Sequence, residues 1–145
     1  MGSMFGWKCE RCGAQESFMC GGGMLSLNEP EVVRRAGEGA FGPAMATLLR
    51  DGVPDGWSVF RSRVYYRCPA CDATFEGVRL AVDDRSDGEL AYTPSPGTCP
   101  ACGEHVLDDA PMGEDDVFER CVSRAREGCP KCGSQQVSVT CGNWD

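Results

Sequence analysis

Residues 58–68, SVFRSRVYYRC, alternate polar and apolar positions and are rich in β-branched and aromatic side chains. That pattern predicts a strand running into a cysteine pair. Beyond the pair, ATFEGVRLAV predicts a strand leading away, with Val78, Leu80 and Val82 on one face. The Asp-Gly in DDRSDGELAYT predicts a hairpin return. Upstream, NEPEVVRRAGEG reads as a helix start, with Asn28 as N-cap, Glu31 completing a capping box, Pro30 in the first turn and Gly37 and Gly39 at its end. GPAMATLLRDG predicts a second helix, opened by Pro43 and closed by Gly52. Val32, Ala36, Ala40, Ala44 and Leu48 recur every four residues, so the two helices are expected to present one apolar face. GEDDVFERCVSRAREG predicts a third helix with Val117, Cys121 and Val122 inward. Acidic residues fill its first turn and Arg124 and Arg126 its last, as the helix dipole favours.

Between these elements stand four Cys-x-x-Cys pairs: Cys9/Cys12, Cys68/Cys71, Cys99/Cys102 and Cys129/Cys132. Three are followed by glycine, which accepts the positive φ that ends a tight cysteine turn, or knuckle. A tetrahedral thiophilic metal needs four ligands and each pair supplies two, so four pairs predict two sites. Four free surface pairs would be exposed to oxidation with no packing reason, and a thioredoxin-type motif uses a single pair at a helix start. The ends of the chain repeat a phrase, CERCGAQESFMCG and CPKCGSQQVSVTCG. Two matching knuckles, each trailed by a β-like run, can face each other and pair those runs. This favours a nested scheme over a sequential one. Cys9, Cys12, Cys129 and Cys132 then form site 1, and Cys68, Cys71, Cys99 and Cys102 form site 2.

Composition explains why metal would be needed. The chain is 41% hydrophobic over 145 residues, but that figure includes 11 cysteines. Without them about a third of the chain is ordinary apolar residue, and small domains with thin cores usually carry staples. An odd cysteine count and the absence of an apolar leader in MGSMFGWKCE argue for reduced thiols in the cytoplasm rather than a disulfide framework. No stretch has the length of a membrane span. The formal net charge is −8. It becomes about −12 with eight thiolates and two divalent ions, which disfavours non-specific binding to nucleic acid or to an anionic membrane.

The knuckles KCERCG, RCPAC, TCPACG and GCPKCG resemble those of the zinc-ribbon superfamily. The overall arrangement, with GGGM after the first knuckle and a closing WD, is similar to bacterial proteins described only as containing a zinc ribbon domain. The resemblance implies two structural zinc ions and says little of function, because ribbons serve in many settings. The inner spacing is also near that of rubredoxin, which would imply iron and redox chemistry. Asp72 in place of glycine, and Phe75 as the one aromatic after the knuckle, depart from that pattern.

The expected fold is therefore a small α+β, metal-stabilised unit over 1–145. Its outer ribbon is built from 5–22 and 126–145, its inner ribbon from 58–107, and its helical segments from 29–51 and 113–127. Of the residues left over, Cys20, Cys121 and Cys141 read first as small buried hydrophobes. Cys20 and Cys141 occupy matching positions in the two end repeats and form a candidate redox pair. His105, the single histidine, reads as a bystander to the third knuckle, and CGGGM as a turn lacking the residues of a phosphate loop. With no nucleophile–base set and metals saturated by thiolates, no enzyme activity is expected. Arg61, Arg63, Tyr65 and Arg67 share one face of their strand and form a candidate interaction face. It would serve an acidic protein partner or nucleic acid, unless the arginines are neutralised within the chain. The expected function is a metal-held module for protein–protein interaction or regulation, with nucleic-acid binding as the alternative and an iron redox protein third.

Overall fold

The computed structural model describes residues 2–22, 27–86, 88–93, 97–106 and 111–144, with backbone alone at Glu89, His105 and Val106. These form eight strands and three helices. The strands are β1 (Gly2–Cys9), β2 (Gln15–Cys20), β3 (Ser58–Arg67), β4 (Thr74–Asp83), β5 (Glu89–Tyr92), β6 (Gly97–Thr98), β7 (His105–Val106) and β8 (Val137–Trp144). The helices are α1 (Pro30–Gly37), α2 (Gly42–Leu49) and α3 (Glu114–Glu127). An outer sheet has the order β2-β1-β8, an inner sheet the order β3-β4-β5, and β6 and β7 make a small ribbon; all pairings are antiparallel. Among the described residues no helix is long and apolar enough to cross a membrane.

The outer sheet differs from its expected form. The runs after the first and last knuckles do not pair with each other. Both pair with β1, which lies between them, Phe5 facing Phe18 on one side and Cys141 on the other. Ser3, Phe5, Trp7 and Cys9 alternate along β1, a period-two signal diluted by the glycines around it. The chain end is fastened across this sheet. The Trp144 indole N–H donates to the Cys20 carbonyl at 3.2 Å. Gly2 lies under that bond, where a Cβ would come within 2.5 Å of both the indole nitrogen and the carbonyl.

The inner hairpin agrees with the strand pattern. β3 and β4 pair from Ser58↔Asp83 to Arg67↔Thr74, with the second knuckle as their turn. Val59, Leu80 and Val82 pack under α1 and α2 in one buried cluster with Val32, Val33, Ala36, Phe41, Met45 and Leu49. The Asp-Gly turn predicted at 87–88 lies partly outside the described residues.

Two helix details are corrected. Asn28 does not cap α1. It sits at φ 48°, and its carbonyl oxygen accepts the Val59 amide at 2.6 Å, while Glu29 holds the N-cap position without a side-chain bond. Glu31 instead pairs with Arg34 at 2.6 Å. The single apolar face also fails: Ala40 and Ala44 are exposed, and the buried period in the second helix runs Phe41, Met45, Leu49. Gly39 and Gly42, both at positive φ, break the helix between the two segments and reset its phase by one residue.

A second cluster, Trp7, Phe18, Cys20, Tyr65, Val117 and Cys121, lies between the outer sheet and α3. Phe5 meets Phe118 there at 5.8 Å. Tyr65 belongs to the inner sheet, so this cluster also joins the two sheets. Truncating Leu49 to Ala is expected to cost about 2–5 kcal/mol, and Leu48→Ala about half as much because Leu48 is half-buried. Denaturant unfolding of the metal-loaded variants checks this; equal losses would restore the unshifted phase.

Candidate metal centres

Each knuckle is the same backbone device. The amide of its first cysteine is bonded to the carbonyl five residues on (Cys9 to Ala14, Cys68 to Ala73, Cys99 to Glu104, Cys129 to Ser134). The first cysteine's carbonyl in turn accepts the amide four residues on, from Gly13, Asp72, Gly103 or Gly133. That fourth residue has φ of 72°, 63°, 76° and 69° in the four turns. Glycine takes this conformation freely and Asp72 takes it at a cost.

The turns bring the cysteines together in the nested order. Cys9, Cys12, Cys129 and Cys132 form one group and Cys68, Cys71, Cys99 and Cys102 the other, all sulfurs of each group lying within 4.8 Å of one another. Across the two knuckles of site 1, Cys9–Cys132 and Cys12–Cys129 sulfurs are 3.7 and 3.5 Å apart. In site 2, Cys68–Cys102 and Cys71–Cys99 are both 3.7 Å apart. Sulfurs placed ~2.3 Å from a central ion at tetrahedral angles are about 3.8 Å apart, so both groups have the dimensions of a four-thiolate metal site. A disulfide would require ~2.05 Å, and all eight are free thiols.

Local electrostatics divide each set of sulfurs: Cys9, Cys99 and Cys129 are lowered, while neighbouring thiols and burial raise Cys71, Cys102 and Cys132. Burial would raise the Cys129 thiol, yet the amides of Cys132 and Lys131 and the neighbouring thiols of Cys12 and Cys132 bring it down to about 6. At Cys99 the amide of Cys102 is the main influence; it outweighs burial and, with the Ala101 amide and the Cys68 and Cys71 thiols, brings the thiol to about 7. The sites differ in cover. Cys12 and Cys132 of site 1 are half-buried, whereas Cys71 and Cys102 of site 2 are exposed.

Asp72 connects site 2 to the helix that leads into site 1, a link the sequence reading did not find. Its carboxylate accepts Arg67 and, at 3.0 Å, Arg120 of α3; the Arg120 guanidinium also reaches the Asp72 carbonyl. Arg120, then Arg67, hold this carboxyl below the usual range. α3 ends at Gly128, immediately before Cys129. The one visible signal was Asp72 itself, the only residue after a knuckle that is not glycine.

The candidate interaction face takes a different form from an open aromatic-basic patch. Tyr65 is buried, packs edge-on against Phe18 at 5.2 Å, and accepts the Met19 amide at 3.0 Å. Arg61 lies 3.6 Å from Glu29, and Arg63 lies 3.9 Å from Glu76 with its guanidinium 5.5 Å from the Trp144 ring. Arg67 is taken by Asp72. Arg61, Arg63 and Arg67 are thus each ion-paired within the chain, with Glu29, Glu76 and Asp72, and Asp72 is shared with Arg120.

The candidate redox pair is not brought together. Cys20 is on β2 and Cys141 on β8, with β1 between them, so their backbones are roughly 10 Å apart or more. A disulfide needs Cα atoms within about 7 Å. Cys20 shares its cluster with Cys121 instead, and both are buried. Burial pushes each thiol up to about 11, with Glu114 adding at Cys20 and Glu16 at Cys121. Cys141 is exposed, contrary to its reading as a small buried hydrophobe. The side chain of His105 and part of CGGGM lie outside the described residues.

No family model, curated protein or solved structure matches the chain.

Two outcomes are expected from these arrangements. A thiol reagent on the metal-loaded chain should label Cys141 in seconds to minutes and leave Cys20 and Cys121 unlabelled until unfolding, as peptide mapping will show. Arg120→Ala should leave both four-cysteine groups able to load metal but raise amide exchange at the α3 surface; unchanged exchange would mean the Asp72 contact contributes nothing measurable.

Proposed function

We propose that this chain is a non-catalytic, protein-binding scaffold held together by two structural zinc ions. The observation that supports it most directly is the match between the sulfur separations of 3.5–3.7 Å and a closed four-thiolate tetrahedron. Four protein ligands leave no open position for substrate, so the metal's role in this reading is structural. The buried clusters are small, and site 1 joins the first knuckle to the last, so in this reading metal binding and folding are one equilibrium. A cytoplasmic setting suits the reduced thiols.

A protein partner is favoured by charge. The formal net charge of −8 opposes approach to a phosphate backbone. The arginines that would offset it locally are paired with Glu29, Glu76 and Asp72.

Native mass spectrometry with elemental analysis, on protein purified without added metal, is expected to give two zinc ions per chain and no iron. One ion, or a coloured iron protein, would overturn the structural zinc reading. Removing the metal with a chelator should abolish the native circular dichroism and expose Trp7; an unchanged spectrum would show that the core stands alone. In a mobility assay with short RNA and DNA at low salt, no shift is expected, and a shift lost on replacing Arg61, Arg63 and Arg67 would move the reading to nucleic acid.

A further inference from the structure

The two four-cysteine groups match in geometry and differ in what surrounds them. Both knuckles of site 1 stand on one sheet. β1 runs into Cys9, β8 follows Cys132, and their pairing is continuous from Cys9↔Val137 to Gly2↔Trp144. The Glu10 amide adds a bond to the Gln136 carbonyl at 2.9 Å. Site 2 has such support on one side. Its Cys68 knuckle turns the β3–β4 hairpin, but its Cys99 knuckle stands on β6 and β7, of two residues each. The Cys99–Glu104 and Gly103–Cys99 backbone bonds close within that knuckle. Among the described residues, the buried cluster at site 2 is Cys68 and Cys99, with Ala73 and Phe75 packed against it. Cover follows support: the second cysteines of site 2, Cys71 and Cys102, are exposed, and those of site 1, Cys12 and Cys132, are half-buried.

Charge differs in the same direction. Four thiolates around a divalent ion carry a net charge of about −2 in either site. In site 1 the residue before the second cysteine is basic in both knuckles, Arg11 and Lys131. With Lys8 beside Cys9, three cations stand against one anion, Glu10. In site 2 the matching positions are Ala70 and Ala101. Arg67 precedes Cys68, but its guanidinium is bonded to the Asp72 carboxylate, which Arg120 shares. A cation beside a thiolate stabilises it and lowers its nucleophilicity. Site 2 therefore holds the less shielded and the less neutralised sulfurs.

We propose that site 2 is an oxidation site for hydrogen peroxide and similar small two-electron oxidants, which react at Cys71 and Cys102 while site 1 stays closed. The proposal rests on the reading of both groups as zinc sites, since coordination keeps the sulfurs as thiolates. One of the two exposed thiolates attacks a peroxide oxygen, the O–O bond breaks, and the sulfur becomes a sulfenic acid. The other thiolate, within 4.8 Å, attacks that sulfur; the S–S bond forms and the sulfenic oxygen leaves as water. Two thiolates, one peroxide and two protons have become one disulfide and two waters, with two electrons passed from sulfur to oxygen. Cys68 and Cys99 are then left as two ligands where four are needed, and site 2 releases its ion. The Cys99 knuckle loses its tie to the β3–β4 hairpin. Site 1 still joins the first knuckle to the last, so one ribbon opens and the chain does not unfold.

The test is a peroxide titration of the two-zinc chain, with released zinc followed by a chromogenic chelator and disulfides mapped by peptide mass. Cys141→Ser is run in parallel to remove the exposed thiol outside the two groups. One zinc ion is expected to leave at least about tenfold faster than the other, with a Cys71–Cys102 disulfide formed and the four cysteines of site 1 unoxidised. Amide exchange should rise at Cys99 and Gly103 and stay slow at Cys9, Gly13, Cys129 and Gly133. Moving the charges tests the cause, at positions that are all exposed. Ala70→Arg with Ala101→Lys should slow the first release about threefold or more, and Arg11→Ala with Lys131→Ala should speed the second by a similar factor. Ions that leave together, site 1 oxidising first, or release rates indifferent to the charge swaps overturn the proposal. A chain holding fewer than two zinc ions before peroxide is added overturns the zinc reading, and the proposal with it.

Discussion

Eight cysteine sulfurs drawn into two groups are the constraint on which the rest of the molecule depends. Site 1 joins residues about 120 positions apart, and so brings the last strand against the first. Closing so long a loop has a large entropic cost, which one metal ion with four thiolate bonds can offset. The remaining chain is carried inside that closure. Site 2 closes the shorter inner segment in the same way, fixing the far end of the β3–β4 hairpin against the small ribbon of β6 and β7.

Hydrophobic packing then decides how the parts gathered around the two four-cysteine groups meet. Tyr65 leaves the inner sheet to enter the cluster beneath α3, and its hydroxyl accepts an amide from the outer sheet. The Gly21–Arg63 bridge and the Asp72–Arg120 contact reinforce the same seam. Asp72 illustrates the exchange involved. It adopts a backbone conformation suited to glycine, as its three counterparts do, and its side chain gains two arginines. The result is a continuous physical connection from the second knuckle, through α3, to the fourth.

The two classes of cysteine separate by environment rather than by sequence position. Cys99 and Cys129 of the knuckles have amides aimed at their sulfurs, which favour the thiolate and a cation beside it. Cys20 and Cys121 are surrounded by apolar side chains, which favour the neutral thiol and make them packing groups. Cys141 has neither environment. It sits on the open edge of the outer sheet, where its surroundings are solvent and its own unpaired backbone.

The sequence by itself determined the eight candidate ligands, the inner hairpin, the three helices and the closure of the chain ends. These are local or repetitive signals: a ligand spacing, a period of two, prolines and glycines at helix ends, a phrase written twice. Tertiary structure decided what depends on neighbours. It placed β1 between the two repeats, because a strand finds its partners across the fold and glycines had blurred its alternation. It shifted the buried face of α2 by one residue, because the turn before it sets the phase. It turned Asn28 from a helix cap into a strand partner and gave Tyr65 and the arginines to the interior seam. It separated Cys20 from Cys141, since matching positions in two repeats become neighbours only if the repeats themselves pair, and here a third strand holds them apart.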